Sequence, residues 1–293
     1  MSVGRGCVLS PRGLNLRPPA SRGARLFIVK DFPMPVATAV VVHAHPDDEA
    51  IFTGATIHQL VEQDVRVVLV TATSGEAGEP RIPLQRGETI GRRRREELER
   101  ACDLLGVARL VMLGYRDSGA HNGPYPAGSL GAAEPGAVAR RVTAVAEAEQ
   151  ASAVLHYDPR GIYGHVDHVQ VHRAGALAAA RLGITSYEAT VDGAQLRRRL
   201  SDGRRHLLHA AAGDDAELGV SPASISLAVQ AGPAALLAKR AAMAAHASQI
   251  GPEYLDPGRF DGSYGQEWFV RRGPVGLLET HTRSTAAMAS PAG

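Results

Sequence analysis

Apolar residues in this chain fall into short runs separated by longer stretches with helical spacing. Residues 38–43 (TAVVVH) form a β-branched run too short for a helix, which predicts a strand covered on both faces. A helix follows over 49–63, then a strand over 65–71 (VRVVLVT) and a helix over 89–106 that Gly106 stops. The same alternation predicts strands over 109–113, 153–157 and 186–191, with helices over 136–150 and 166–182 between them. Continuous apolar strands alternating with helices imply an α/β fold: a mostly parallel sheet with helices on both faces. From 195 to 231 the pattern weakens, although 225–230 adds a further strand, and a clear helix spans 234–248. Residues 1–34 are rich in Arg, Gly and Pro and have no period, so they read as a disordered tail or as residues upstream of a start at Met34. Residues 285–293 read as a second tail, which leaves 35–284 as a single domain.

Composition narrows the picture. Apolar residues are 44% of the chain, enough for a sizeable core, and the formal net charge is only +2. That balance gives no reason to expect a nucleic-acid or membrane-surface partner. The run Arg92–Arg95 has no interleaved aromatics and reads as a solvated helix face. No stretch is long and apolar enough to span a membrane, and the first 34 residues lack the apolar centre of a secretory signal. Two cysteines, Cys7 and Cys102, do not make a disulfide framework, so a cytoplasmic location is expected. Nothing in the pattern speaks against a homo-oligomer. No G-x-G-x-x-G follows the first strand, no P-loop string occurs and there is no Gly-x-Ser-x-Gly elbow, so nucleotide-dependent and serine-hydrolase chemistries have no support.

In open parallel sheets ligands bind at the carboxyl ends of strands. The loop after the first strand reads His43-Ala44-His45-Pro46-Asp47-Asp48-Glu49. Unpaired charges are costly to bury, and a metal ion is one coherent explanation for so many ionisable groups. His45 and Asp48 are a nitrogen and an oxygen ligand suited to zinc across a turn that Pro46 stiffens, with Asp47 left free to handle a proton. Helix capping by Asp47 or Asp48 is the competing reading. His43 is expected to be a hydrogen-bonded buried histidine rather than a ligand. After the strand over 153–157 comes Tyr163-Gly164-His165-Val166-Asp167-His168, which opens a helix. His168 can complete a three-ligand site that keeps positions open for water and substrate. Asp167 can orient a histidine ring, Tyr163 can donate to a substrate oxygen, and His172 is expected outside the ligand set.

The strings AHPDDE (44–49) and YGHVDH (163–168) resemble the LmbE-like, or PIG-L, de-N-acetylase family. Its members include deacetylases of N-acetylglucosaminyl-phosphatidylinositol and of N-acetylglucosaminyl-inositol, and amidases of mycothiol conjugates. The loop TATSGEAG (71–78), the helix containing Arg94 and Glu97, the segment GYRDSG (114–119) and the late string Lys239…His246-x-Ser248-Gln249 are similar too, so the resemblance covers about 38–250. It implies a Rossmann-like α/β fold and one Zn2+ on His45, Asp48 and His168. It implies Asp47 as general base and then acid, a protonated His165 as electrostatic partner, Tyr163 at the oxyanion, and Arg94 and Asp117 against the sugar. The expected reaction is N-deacetylation of an N-acetylglucosamine-type small molecule. The alternatives are an amidase of a mycothiol-type conjugate, a metal-dependent phosphoesterase, or a sugar-binding protein without activity. The segments 118–136 and 192–222 look short beside the mycothiol enzymes.

Overall fold

The computed structural model describes residues 37–119, 124–201, 206–208 and 217–286. The expected tail 1–34 lies outside them, and every element below belongs to the unit Val36–Gly293. β1 (Thr38–His43) is buried at every position, as a β-branched strand covered on both faces must be. With β2 (Arg66–Thr73), β3 (Arg109–Tyr115), β4 (Ala153–Tyr157) and β5 (Thr185–Thr190) it forms a parallel set in the order β3-β2-β1-β4-β5. The chain therefore winds outward from β1 to β3, then returns to the other side of β1. Right-handed crossovers that change direction place their helices on opposite faces. The helix expected over 49–63 is two helices, α1 (Asp48–Phe52) and α2 (Gly54–Glu62). α2 packs with α3 (Ile90–Leu105), while α4 (Pro135–Ala148) packs with α6 (Val166–Leu182), which follows the short α5 (Gly161–Gly164). Gly106 and Gly183 end α3 and α6 in the left-handed conformation, at φ 79° and 66°.

The break at Thr53 has a tertiary cause. Thr53 Oγ1 donates to Glu49 O at 3.1 Å and bonds His43 Nε2 at 2.8 Å. This frees the first amides of α2 to meet a carboxylate: Ala55 N and Thr56 N donate to Glu267 at 2.9 and 2.8 Å, and Thr56 Oγ1 adds a bond of 2.6 Å. A carboxylate there satisfies orphan amides and faces the positive helix end. Lys239, on α8 (Pro233–Ala245), pairs with the same Glu267 at 2.7 Å, and both side chains are buried.

Glu267 lies on β7 (Gln266–Arg272), a strand the apolar pattern does not reveal, because only Trp268, Phe269 and Val270 break its polar run. β7 runs antiparallel to β5, β6 (Leu227–Gln230) antiparallel to β7, and β8 (Ser284–Ala286) antiparallel to β6. The described residues thus form an eight-stranded sheet, parallel at its centre and antiparallel along one margin. The boundary expected at 284 falls inside β8. α7 (Gly193–Ser201), α9 (Pro257–Tyr264) and α10 (Leu277–His281) complete the described helices. None of the described helices is long and apolar enough to cross a membrane.

Candidate active site

Strand order reverses between β1 and β4, and the two ionisable motifs follow those two strands. In a parallel sheet this reversal opens a crevice at the carboxyl ends. His45 Nδ1, Asp48 Oδ2 and His168 Nε2 meet there as a triangle: His45 to Asp48 3.4 Å, His168 to Asp48 3.4 Å and His168 to His45 3.4 Å. All three side chains are buried. A tetrahedral ion with bonds of about 2.0–2.1 Å needs its ligand atoms about 3.3–3.4 Å apart, so the triangle fits zinc without rearrangement. Tautomers fit as well. Asp167 Oδ2 sits 3.2 Å from His45 Nε2, which leaves Nδ1 turned to the other two ligand atoms. Asp167 is in turn held by Ser118 N at 3.0 Å and Ser118 Oγ at 2.5 Å. Asp48 Oδ2 accepts from His45 N at 2.9 Å and from Tyr157 OH at 2.7 Å.

Asp47 stands apart from the triangle. Its φ is 108° and ψ −29°, a conformation that a residue with a Cβ adopts only at a cost of about 1–3 kcal/mol. Its side chain caps nothing, although its carbonyl accepts from Ala50 and Ile51 at 3.1 Å each. The capping reading therefore fails for Asp47, and Asp48 also spends its oxygen on the groups named above rather than on a helix amide. Arg94 holds the loop: its Nη2 donates to Pro46 O at 2.6 Å and Asp47 Oδ2 at 3.1 Å, and its Nη1 to Gly75 O at 2.9 Å. On the other side, Glu49 Oε2 accepts from Asp47 N at 3.0 Å, and Glu49 Oε1 bonds His246 Nε2 at 2.6 Å.

The second motif turns sharply. Ile162 has φ 66° and ψ −52°, rare for a β-branched residue, and it is held by Asp158 Oδ1, which accepts from its amide at 2.9 Å. This turn brings Tyr163 and His165 to the triangle: the Tyr163 ring lies 5.0 Å from that of His168, and the His165 ring 4.7 Å from that of His45. A protonated His165 is expected from the resemblance, and the surroundings of its ring bear on that expectation. His165 Nδ1 accepts from Asp167 N at 3.2 Å and caps α6, so that nitrogen carries no proton. Burial, with His45 and His168 alongside, pushes its pKa down to about 3. Both features favour a neutral ring with its hydrogen on Nε2.

The same crowding sets the other ionisations. Burial opposes a charge on His45, but the hydrogen bonds its ring donates to Asp117, Asp167 and Asp48 outweigh it and hold its pKa well above 6.5. Burial likewise raises Asp48, yet His168 and His45 keep its carboxyl well below the usual range. At Asp47 burial wins over the Arg94 guanidinium and pushes the carboxyl up to about 6. Burial lowers His43 to about 4; bonded to Thr53, it is the neutral buried histidine expected, outside the ligand triangle. His172 also stands apart, with Nδ1 3.0 Å from Tyr157 O.

Around these groups lies a cleft of about 330 Å³ that His45, Asp47, Asp48, Arg94, Asp117, Tyr163 and His165 line. Ile51, Phe52, Leu207 and Leu208 form its apolar wall. Asp117 reaches His45 Nε2 at 3.6 Å and accepts from Gly119 N at 2.9 Å. Sequence reasoning missed three supports. Tyr157, read only as the end of a strand, braces Asp48 and stacks on His168 with rings 4.1 Å apart and 4° from parallel. Ser118 fixes Asp167, and the Glu49–His246 pair holds the Asp47 amide. A polar side chain at the carboxyl end of a strand was the available signal for Tyr157; the other two depend on distant partners.

A family model described as PIG-L, GlcNAc-PI de-N-acetylase, matches residues 40–179. The chain is 42% identical over 151 residues to the 1D-myo-inositol 2-acetamido-2-deoxy-alpha-D-glucopyranoside deacetylase of Kineococcus radiotolerans, a match that covers 45% of the chain and 42% of that protein. Its similarity to the enzyme of the same name from Streptomyces avermitilis is longer: 34% identity over 248 residues, 74% of the chain and 84% of that protein. In fold it is similar to the crystal structure of a pseudoaglycone deacetylase, with a TM-score of 0.56 and 21% identity over 80% of the chain and 96% of that one. The family model spans both histidine–carboxylate motifs, the longer relative covers most of the domain around them, and the chain belongs to the PIG-L, or LmbE-like, family.

Proposed function

We propose that this chain is a zinc-dependent N-deacetylase of an N-acetylglucosamine conjugate, with the inositol glycoside named for its relatives as the first candidate substrate. The observation that carries this reading is the 3.4 Å triangle of His45, Asp48 and His168 set beside a carboxylate outside it, Asp47, in an open cleft. Those three residues would hold the ion, which supplies Lewis-acidic charge to an amide otherwise too stable to hydrolyse. Asp47, steadied by Arg94, takes the proton of the attacking water and returns it to the leaving nitrogen. Tyr163 donates its hydroxyl hydrogen to the developing oxyanion, and the neutral His165 adds its Nε2–H. Asp167 keeps the His45 ring in one tautomer. Asp117 and Arg94 line the wall where sugar hydroxyls would be recognised. No feature of the cleft favours a conjugate amidase or a phosphoesterase over this reading.

The test is amine release from the N-acetylglucosaminyl inositol by purified protein before and after chelation. Activity should vanish with the metal and return with stoichiometric zinc. Full activity in protein verified as metal-free would refute the metal; cleavage of a mycothiol-type conjugate with no release from the glycoside would refute the substrate.

A further inference from the structure

Glu49, in the first turn of α1, faces His246, the residue that caps the end of α8, and both are fully buried. The ligand triangle uses neither. Glu49 Oε1 bonds His246 Nε2 at 2.6 Å, and Glu49 Oε2 accepts from Asp47 N at 3.0 Å. A glutamate that reaches back to the amide preceding a helix is ordinarily a solvent-exposed cap, for which water is an adequate substitute. Here the carboxylate is sealed from water, and its second oxygen is fixed by a histidine 197 residues away. The amide it holds belongs to Asp47, whose backbone stands at φ 108°. Asp48 is independently secured by His45 N and Tyr157 OH, so holding the metal ligand does not require Glu49.

We infer that Glu49 and His246 are a positioning device for Asp47: the pair pins the Asp47 amide, keeps that residue in its left-handed conformation, and so aims its carboxylate into the cleft. This rests on the reading of Asp47 as the proton-transfer group. Relaxation of Asp47 to negative φ would redirect the bond to its Cβ while the triangle stays in place. Geometry also names a substitute. Glutamine at 49 can accept the Asp47 amide hydrogen with its oxygen and donate its NH2 to His246 Nε2, whose Nδ1 has no partner among the described residues and is free to carry the ring proton. Leucine at 49 can do neither.

The experiment compares zinc-loaded wild type with Glu49→Leu, Glu49→Gln and His246→Ala. Each is assayed for kcat, KM and zinc content, and for hydrogen exchange at the Asp47 amide. Glu49→Leu should lose protection at that amide and lower kcat at least tenfold, with KM and zinc content unchanged; Glu49→Gln should stay within threefold of wild type in kcat and keep the protection. His246→Ala, which leaves the carboxylate in place but unanchored, should fall between them and serves if Glu49→Leu does not fold. Unchanged Asp47 protection in both Glu49→Leu and His246→Ala would overturn the device, as would equal kcat in the leucine and glutamine variants. Amide exchange is read without substrate, so loss of protection in a protein that deacetylates nothing would uphold the device and refute the proposed function.

Discussion

Asp47 and Asp48 are adjacent carboxylates that the structure separates into different tasks, and substitution should separate them in three measurements. Asp47→Asn keeps an oxygen that can accept from Arg94 Nη2, now 3.1 Å away. No capping bond is lost, because Asp47 makes none, and asparagine tolerates positive φ better than most residues. The variant should therefore fold. The basic lone pair is gone, however, and kcat should fall by roughly two to four orders of magnitude at full zinc content. Asp48→Ala is the opposite case. It removes one of three ligands and strands the Tyr157 hydroxyl and the His45 amide, both of which donate to Asp48 Oδ2. Each buried donor left unsatisfied costs about 1–3 kcal/mol. A drop of several degrees in Tm should accompany the loss of zinc and activity. Calorimetry, metal analysis and amine release on the two purified variants check this. An active Asp47→Asn protein, or an Asp48→Ala protein that holds zinc and melts normally, would refute the division of roles.

Tyr163→Phe should lower kcat by about a hundredfold or more with KM and zinc content unchanged, as expected for loss of an oxyanion donor; an unchanged kcat would remove Tyr163 from the chemistry. Lys239→Met should destabilise the fold by about 3–5 kcal/mol because Glu267 is left charged and buried, whereas Lys239→Met with Glu267→Gln should recover part of that loss in urea melts; equal cost in both would disprove the coupling. Glu279 accepts from Tyr187 OH at 2.7 Å and from Arg271 Nη1. Burial pushes its carboxyl up, but the bonds from Tyr187 and Arg271 outweigh burial and hold its pKa below the ordinary 4.5. A depressed carboxylate stabilises the fold above its unfolded pKa and loses that contribution as pH falls through the folded value. Glu279→Gln should therefore cost stability at neutral pH, and the gap from wild type should close as the pH is lowered beneath 4.5; a gap independent of pH would refute this.

The parallel half of the sheet was legible because β1 to β4 are locally encoded as largely apolar runs and the helices between them end at turn signals, as at Gly106 and Gly183. Of the antiparallel margin only β6 was, within the strand expected over 225–230. β7 is held to β5 partly through paired charges, with Arg272 reaching Glu188 at 3.1 and 3.0 Å, and its polar ends leave only a short apolar signal. The break in the helix over 49–63 was invisible for a similar reason. Nothing near Thr53 in sequence announces a carboxylate from β7 that takes the amides of Ala55 and Thr56.

The candidate site divides along the same line. Convergence of 45–49 with 163–168 follows from topology: two strands on either side of a reversal must deliver their following loops to one crevice. The residues within each motif could therefore be placed together from the chain alone. Their protonation could not, because a ring's tautomer is set by what its second nitrogen meets. For His45 that partner is Asp167, which Ser118 from the β3 loop holds in place; for His165 it is the Asp167 amide. A charged His165 is reasonable when the motif is considered in isolation. The first turn of α6, which donates to its Nδ1, favours the neutral ring of the proposed function, with hydrogen-bond donors from Tyr163 and that imidazole at the oxyanion.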